Sequence, residues 1–301
     1  MIAVCIPVYN HPIAPLAGEL RRQIARLDRG LELVVIDDGS EDRFREANRE
    51  ACREARYVEL TENIGRSRIR NLFLFHTQCP YLLFLDCDSL LVSRDFLKDY
   101  LEMASQSYPV VCGGRIYPAE RPPREKRLRW EYGVRRESQP AETRRRHPHR
   151  SFLSNNFMVH RSVLERIPFD ERLTGYGHED TLFGFMLGRH NIPVMHTNNP
   201  VLNDGLETNR EFLEKTQQGV LNLIHITRLT DNQRELTEGI ALLRLARRIG
   251  WASPAIRGIF FLLKPPLARL LSAGLASMSL FGFFKLGLYM ESRHQMKKQR
   301  Q

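Results

Sequence analysis

Two carboxylates one residue apart close the apolar run LLFLDCDSLLV: Asp86 and Asp88, with Cys87 between them. Two acids at the end of a buried strand cannot both be hidden. They reach the sheet edge, where a hard divalent cation can take their oxygens. Such a cation would offset the charge that grows on a diphosphate leaving group. Read alone, the pair also fits a strand running into a capped turn, with Asp88-Ser89 starting a helix. A second strand end, IDDGSED, carries Asp38, which can accept the imide N–H of a uracil, and Gly39, which lets the chain turn tightly. An Asp/Gly/Ser turn before a helix fits the same residues. A third segment, TENIGRSRIRN, opens a helix whose free N–H groups and Arg66, Arg68 and Arg70 could face phosphate. A solvated basic face is the plainer reading for at least one of the three.

The elements that must position these groups are legible as a rhythm. Short apolar runs at residues 2–8, 31–36, 57–60, 81–85 and 110–116 read as strands. Amphipathic stretches at 15–27, 42–53, 66–75 and 96–105 read as helices between them. This alternation predicts a mostly parallel sheet with helices on both faces. Ligands of such sheets bind at the carboxyl ends of the strands, which is where Tyr9, Asp38, Arg66, Asp86 and Asp88 fall. The first strand is followed by PVYN and not by Gly-x-Gly-x-x-Gly, so the dinucleotide-binding fingerprint is absent. Residues 118–150 break the rhythm and end in RRRHPHR, which predicts a long surface loop. Beyond it, 152–160 reads as a strand, 162–167 as a short helix and 192–196 as a last strand. GYGHED turns into an amphipathic helix, and from Glu207 onward the pattern is helical with no further strand.

The chain has 301 residues, of which 42% are hydrophobic and 27% charged, enough for a large α/β domain with an appendage and unlike a disordered chain. Its formal net charge of +10 favours anionic partners: nucleotide diphosphates, anionic lipid or nucleic acid. The cysteines at 5, 52, 79, 87 and 112 show no Cys-x-x-Cys or Cys/His spacing, so reduced cytosolic thiols are expected. The opening MIAVCIPVYN reads as a buried strand with no basic leader before it, which predicts no signal peptide. The longest uncharged run, residues 270–284, is short of the ~20 apolar residues that a spanning helix needs.

Taken in order, VCIPVYN, VVIDDGSED, ENIGRSRIRN, FLDCDS, SNNFMVHRSVLERIPFDERL and GYGHED resemble the family-2 glycosyltransferases, over about residues 1–225. The likeness is to the bacterial branch that builds surface polysaccharide. It implies a GT-A fold, a Rossmann-like mixed sheet with helices on both faces. The catalytic domain would be residues 1–228, with a nucleotide-binding half at about 1–117 and an acceptor-side half at about 118–228. A helical extension over 229–301 would follow. The activity implied is inverting transfer of a sugar from a nucleotide sugar, with UDP as the expected nucleotide, to a saccharide or lipid-linked acceptor, aided by Mn or Mg. Residue by residue, Pro7, Tyr9 and Asp38 match positions lining the nucleobase, and Arg66 falls near the uracil and ribose contacts. Asp86 falls near the ribose and Asp88 is the direct metal ligand. Asp180 matches the catalytic base, and Glu179 would position donor or acceptor sugar. The base assignment agrees with the chemistry: inverting transfer needs one carboxylate to take the acceptor's proton, and a helix N-terminus favours an ionised acid. The chain departs from the pattern in NNPVLND, which puts Asn203 where relatives carry a metal-binding His; His196, seven residues upstream, is the substitute candidate.

The tail over 256–290 is strongly apolar yet punctuated by Lys264, Arg269 and Lys285, and Pro265-Pro266 is expected to break any helix there. Two short helices lying in a membrane interface fit, as does a helical pair docked on the catalytic domain or forming a dimer. The expected location is cytoplasmic, peripheral on the inner face of the cytoplasmic membrane. Three rival readings are weaker. A nucleotidyltransferase would want a Gly-rich basic loop after the first strand, which PVYNHPIAP lacks. A nucleic-acid-binding protein would interleave aromatics with its cations as stacking platforms, so no nucleic acid partner is expected. An inactive sugar-binding module would not need Asp86, Asp88, Glu179 and Asp180 together.

Overall fold

The first strand, β1 (Ile2–Val8), is apolar at almost every position because it is covered on both faces. Its side chains alternate between two cores. Ala3 and Cys5 point into one, and Ile2, Val4 and Ile6 into the other. A computed structural model describes residues 1–27, 30–229, 233–275 and 277–298. In chain order β1 is followed by α1 (Ala14–Leu27), β2 (Leu31–Asp37), α2 (Asp42–Ala51), β3 (Arg56–Glu59) and α3 (Arg66–Leu72). Then come β4 (Tyr81–Leu85), β5 (Ser89–Leu91), α4 (Phe96–Ser105), β6 (Val110–Cys112) and β7 (Arg115–Ile116). After them lie α5 (Arg127–Tyr132), α6 (Ala141–Arg145), β8 (Asn156–His160), α7 (Arg161–Arg166), α8 (Glu179–Arg189), β9 (Val194–His196) and β10 (Val201–Asn203). Helices α9 (Asn209–Leu229), α10 (Gln233–Gly239), α11 (Ala241–Arg248), α12 (Ser253–Ser272) and α13 (Met278–Lys298) complete the described chain.

The chain divides into two compact units. One comprises Met1–Pro118, Val134–Arg172 and Glu179–Gly205, and the other Ala119–Gly133, Leu173–His178 and the chain from Leu206 onward. The first unit holds a seven-stranded sheet in the order β3-β2-β1-β4-β8-β6-β9. The β1, β2, β3 and β4 pairings are parallel, and β8 runs antiparallel to both of its neighbours. The sheet is therefore mixed, as expected. Leu16 and Leu20 of α1 and Phe96, Leu97 and Tyr100 of α4 cover one face. Ile69 of α3, Leu164 of α7 and Phe183 and Leu187 of α8 cover the other. That second core places the start of α8 on the same side as α3. A small second sheet, β5-β10-β7, joins the segment after Asp88 to the segment ending in Asn203. Neither β5 nor β10 is legible in the sequence, since three-residue strands carry too little periodicity to register.

Residues 118–150 are not a bare loop. They contain α5, a π-helical turn at Gly133–Glu137 and α6. Arg144 of α6 is buried and donates to the carbonyls of Cys112 (3.1 Å), Gly113 (3.0 Å) and Thr197 (2.7 Å). It acts there as a cap for strand ends, not as a surface cation.

The second unit is helical. The expected break at Pro265-Pro266 does not occur, because α12 runs through both prolines. Phe260, Leu267 and Leu271 are buried on either side of the pair. Phe260 meets the rings of Phe283 and Phe284 in α13 at 6.2 and 5.9 Å. Packing of this kind offsets the roughly 3 kcal/mol that proline costs within a helix. Phe281 of α13 is fully buried against Tyr132 of α5 and Phe212 of α9.

Candidate active site

The carboxyl ends of β1, β2 and β4 lie side by side at the point where the strand order turns from β1 towards β2 on one side and β4 on the other. Tyr9 follows β1 and its side chain is about half exposed, while Pro7 is half-buried within the strand. Asp38 follows β2 and is buried. Its Oδ1 accepts from the Ile64 amide (2.7 Å) and its Oδ2 from the Gly65 amide (3.2 Å). Burial raises its pKa above the usual aspartate value while those two amides pull it back. Asp38 thus fastens the turn that delivers Arg66. Gly39, at φ +72°, is needed at the same place: a side chain there would meet the Glu62 backbone at 2.6 Å.

Asp86 follows β4, and two arginines of α3 converge on it. Arg70 Nη2 donates to Asp86 Oδ1 at 3.1 Å, and Arg66 Nη2 lies 3.6 Å from Oδ2. Arg70 is only 1% exposed, and its Nε has no hydrogen-bond partner. The third arginine, Arg68, points elsewhere and lies 3.7 Å from Glu171 in an exposed pair. Arg66 also reaches α8, where its Nε donates to Glu179 Oε1 at 2.6 Å. Residues Arg66, Arg70, Asp86 and Glu179, which are far apart in the chain, therefore form one charged cluster.

The two acids that open α8 are driven apart electrically. Burial pushes Glu179 upward, but the Arg66 and Arg70 guanidiniums outweigh it and hold this carboxyl below the usual glutamate value. Among the described residues Asp180 has no arginine bonded to it. Loss of water around its carboxyl, and then the negative Glu179, raise it to about 6. Its Oδ1 accepts from the Thr181 amide (2.6 Å) and hydroxyl (3.3 Å), which fixes the carboxyl at the helix start. Two adjacent acids held at different protonation strengths are the arrangement expected of a positioning group and a base.

Asp88 is steadied from β10. Asn203 Nδ2 donates to its Oδ2 at 2.7 Å, and the Asp204 amide donates to its backbone carbonyl at 3.1 Å. Gly205 completes the cradle, since a Cβ there would lie 2.7 Å from Asp88 Cβ and 3.0 Å from its Oδ2. Among the described residues no group of three or more His, Cys, Asp or Glu side chains gathers into a metal cage. The donor set instead suits a magnesium- or manganese-like ion that takes one or two carboxylates and completes its shell with water and substrate phosphate. Between them, burial and the flanking Asp88 and Asp86 push the Cys87 thiol up to about 12.

His196 does not join the site. It is fully buried, with Nδ1 2.8 Å from Arg144 Nη1 and Nε2 2.9 Å from the Pro148 carbonyl. A guanidinium only donates, so Nδ1 is the acceptor and Nε2 carries the proton. Burial lowers its pKa to about 4, so the ring is neutral and has no lone pair left for a metal. The substitute ligand expected from the sequence is replaced by a structural histidine.

Asn155 went unassigned in the sequence. Of the two asparagines in SNNF, Asn156 is saturated: its amide contacts the Tyr100 hydroxyl (2.6 Å) and the carbonyls of Gly114 and Asn199 (both 2.9 Å). Asn155 is also buried, yet neither its Oδ1 nor its Nδ2 has a partner, while its backbone carbonyl accepts from the Asp86 amide at 3.0 Å. A buried amide left open beside Asp86 has donor and acceptor capacity to offer a ligand or water.

Comparison with known proteins supplies the family. Residues 3–168, more than half of the chain, match the family model for glycosyl transferase family 2. A teichoic acid poly(glycerol phosphate) polymerase from Staphylococcus epidermidis is 30% identical over 94 residues, which is 30% of this chain and 13% of that polymerase. Among solved structures, a mannosyltransferase from Pyrobaculum calidifontis, in complex with GDP-Man and Mn2+, superposes with a TM-score of 0.61 at 20% identity, covering 97% of this chain and 85% of that one. Glucosyl-3-phosphoglycerate synthase from Mycobacterium tuberculosis overlaps less well, with a TM-score of 0.47 at 20% identity over 66% of this chain and 69% of its own. The chain belongs to glycosyl transferase family 2 and is a glycosyltransferase of GT-A fold.

Proposed function

We propose that this glycosyltransferase inverts the sugar it transfers, takes it from a UDP-sugar, and passes it to a saccharide or lipid-linked acceptor in the building of surface polysaccharide. The observation that best supports this is the junction of α3, β4 and α8, where Arg66 bridges Asp86 and Glu179 and Asp180 stands beside them with its pKa raised to about 6.

In this reading the uracil lies against Tyr9 and Pro7, with a free lone pair of Asp38 accepting its imide N–H. Asp86, gripped by Arg70, takes the ribose, and Asn155 offers its open amide to the donor. Asp88, steadied by Asn203, would hold Mn or Mg, and when bound that cation would neutralise charge on the leaving diphosphate. Arg66 and Glu179 orient the donor sugar. Asp180 accepts the proton of the acceptor hydroxyl as that oxygen bonds to the anomeric carbon. The bond from this carbon to the diphosphate breaks, and the diphosphate leaves with the bonding electrons. At neutral pH a carboxyl near 6 is mostly ionised yet more basic than an ordinary aspartate, the condition a general base requires. A single displacement inverts the anomeric centre.

The enzyme is further placed as a cytoplasmic protein, peripheral at the inner face of the membrane. Among the described residues no helix is long and apolar enough to cross a membrane. Supporting a peripheral position are the apolar side chains that α12 leaves exposed.

The test is donor cleavage across a panel of UDP- and GDP-sugars with and without manganese, followed by NMR of the product. UDP release that depends on the metal, with inverted anomeric configuration, is expected. A retained configuration would overturn the single-displacement mechanism, and cleavage confined to GDP-sugars would overturn the nucleotide.

A further inference from the structure

We infer that the C-terminal helices dock this enzyme on an anionic membrane surface, with a basic cleft among α11, α12 and α13 taking a lipid headgroup phosphate and the outward face of α12 entering the apolar layer. This deepens the peripheral location proposed above, and it rests on two separate observations within one unit.

The first is the cleft. Its volume is about 560 Å³ and it is lined by Arg247, Trp251, Arg257, Tyr289, Arg293 and His294 among others, with no carboxylate among the described residues of its wall. Its cations are not all consumed internally. Arg247 pairs with Glu238, and Arg293 donates to Tyr289, but the Arg257 Nε is buried without any hydrogen-bond partner. An arginine fork facing a space whose described lining holds no acid suits a phosphate oxygen, which can fill the missing bond.

The second is the face beside it. Helix α12 contains no Asp or Glu. Its outward positions expose Phe261 (73%) and Leu262 (74%), with Ile259, Leu263 and Leu270 about half exposed and Trp251 (86%) just ahead of the helix. Lys264, the one cation in the middle of this stretch, is drawn to Glu291 of α13 at 2.7 Å. Side chains of this size have no reason to stay in water on a monomer. Proline has no N–H, so Pro265 and Pro266 leave the Phe261 and Leu262 carbonyls without their helical donors. Such carbonyls suit the hydrated interface and not the hydrocarbon centre, so the helix would lie in the plane of the surface.

Charge decides between a membrane and a second copy of the chain. Residues 241–298 contain ten Lys and Arg and a single acid, Glu291. Two such faces would repel one another, whereas each cation near an anionic leaflet adds attraction.

The experiment uses the full chain with vesicles of phosphatidylcholine alone or with about 30% phosphatidylglycerol, a proportion chosen to give a surface potential like that of an anionic leaflet. Flotation and the emission of Trp251, separated from Trp130 by a Trp251→Phe control, read binding. Melting temperature and donor cleavage are followed in parallel. Wild type is expected to float with the anionic vesicles and show blue-shifted Trp251 emission. The doubly substituted Phe261→Ser/Leu262→Ser chain should lose about tenfold in partition for each apolar side chain removed, with an unchanged melting temperature. Arg257→Gln/Arg293→Gln should abolish the preference for the anionic vesicles. Wild type that ignores both vesicles, a serine variant that floats as well as wild type, or a dimer that the serine variant dissolves would each overturn the inference. Vesicle binding without donor cleavage would leave it standing and sink the transferase reading, and cleavage without vesicle binding would do the reverse.

Discussion

At the scale of single residues, neighbouring acids divide their roles by what surrounds them. Glu179 has two guanidiniums within reach and stays ionised, while Asp180 has the charge of Glu179 beside it and rises to about 6. A carboxyl whose pKa is higher in the folded chain than in the unfolded one makes the folded state bind more protons between roughly pH 4 and 6. Stability then falls as pH climbs through that window and stays low above it. Asp180→Asn removes the penalty. The variant should melt higher than wild type at pH 7, by about 1–3 kcal/mol, and the advantage should vanish near pH 4. If Asp180 is the base proposed above, the same change removes it, so turnover should drop by ~10²–10⁴ while donor binding survives. In wild type, kcat/KM should rise with pH along a limb centred near 6. Melting curves and rates on one pair of proteins check all three; a destabilised variant at pH 7 would contradict the account. Arg70 makes the opposite case. It is buried under the cluster and bonds Asp86, so Arg70→Met strands a charge and should cost about 3–5 kcal/mol in denaturant unfolding.

Elements explain which parts of this site the sequence could reveal. Strand-end motifs survive in sequence because a parallel sheet delivers all its ligand groups at one edge: Tyr9, Asp38 and Asp86 were each recognisable from the apolar run before them. The meeting of Arg66 with Glu179 was not, since they are 113 residues apart and joined only by the packing of α3 and α8 on one face of the sheet. In the sequence Asn203 departs from the family pattern, and His196 is the substitute candidate. The reason lies in β10, a three-residue strand that hydrogen-bonds to β5 and thereby brings Asn203 to Asp88, while β9 carries His196 into the interior. If Asn203 orients Asp88 for a cation, Asn203→Ala should weaken manganese-dependent UDP binding by about 10–100-fold. Calorimetric titration reads this directly. Asp88→Ala should abolish the metal dependence altogether without unfolding the chain, whereas His196→Gln should lower stability and leave the metal requirement as it was. Unchanged UDP affinity in both Asn203→Ala and Asp88→Ala would sink the metal role.

At the scale of the whole molecule, the basic excess is unevenly used. In the first unit two arginines, Arg144 and Arg70, are buried and bonded within the fold. In the helical unit Lys and Arg crowd residues 241–298 with a single acid among them. The sequence leaves open whether this tail lies on a membrane or packs into the protein; in the structure one set of its side chains is packed and another is exposed. Phe281, Leu288 and Met290 of α13 are buried, and Phe281 wedges between Tyr132 and Phe212 at ring distances of 5.7 and 5.3 Å. Leu262 of α12 lies mostly in solvent. The two faces should therefore respond differently to substitution. Phe281→Ala leaves a cavity in a sealed aromatic cluster and should cost about 3–5 kcal/mol. Leu262→Ser removes nothing that is packed and should change stability by less than about 0.5 kcal/mol. By the same reasoning, ending the chain before Ser253 would strip α9 and α5 of their cover, baring Phe212 and Tyr132, and should yield an aggregating protein. Denaturant unfolding of the two point variants and gel filtration of the shortened chain decide the matter. A shortened chain that stays monomeric, or a Phe281→Ala protein as stable as wild type, would mean that α13 contributes little to the fold.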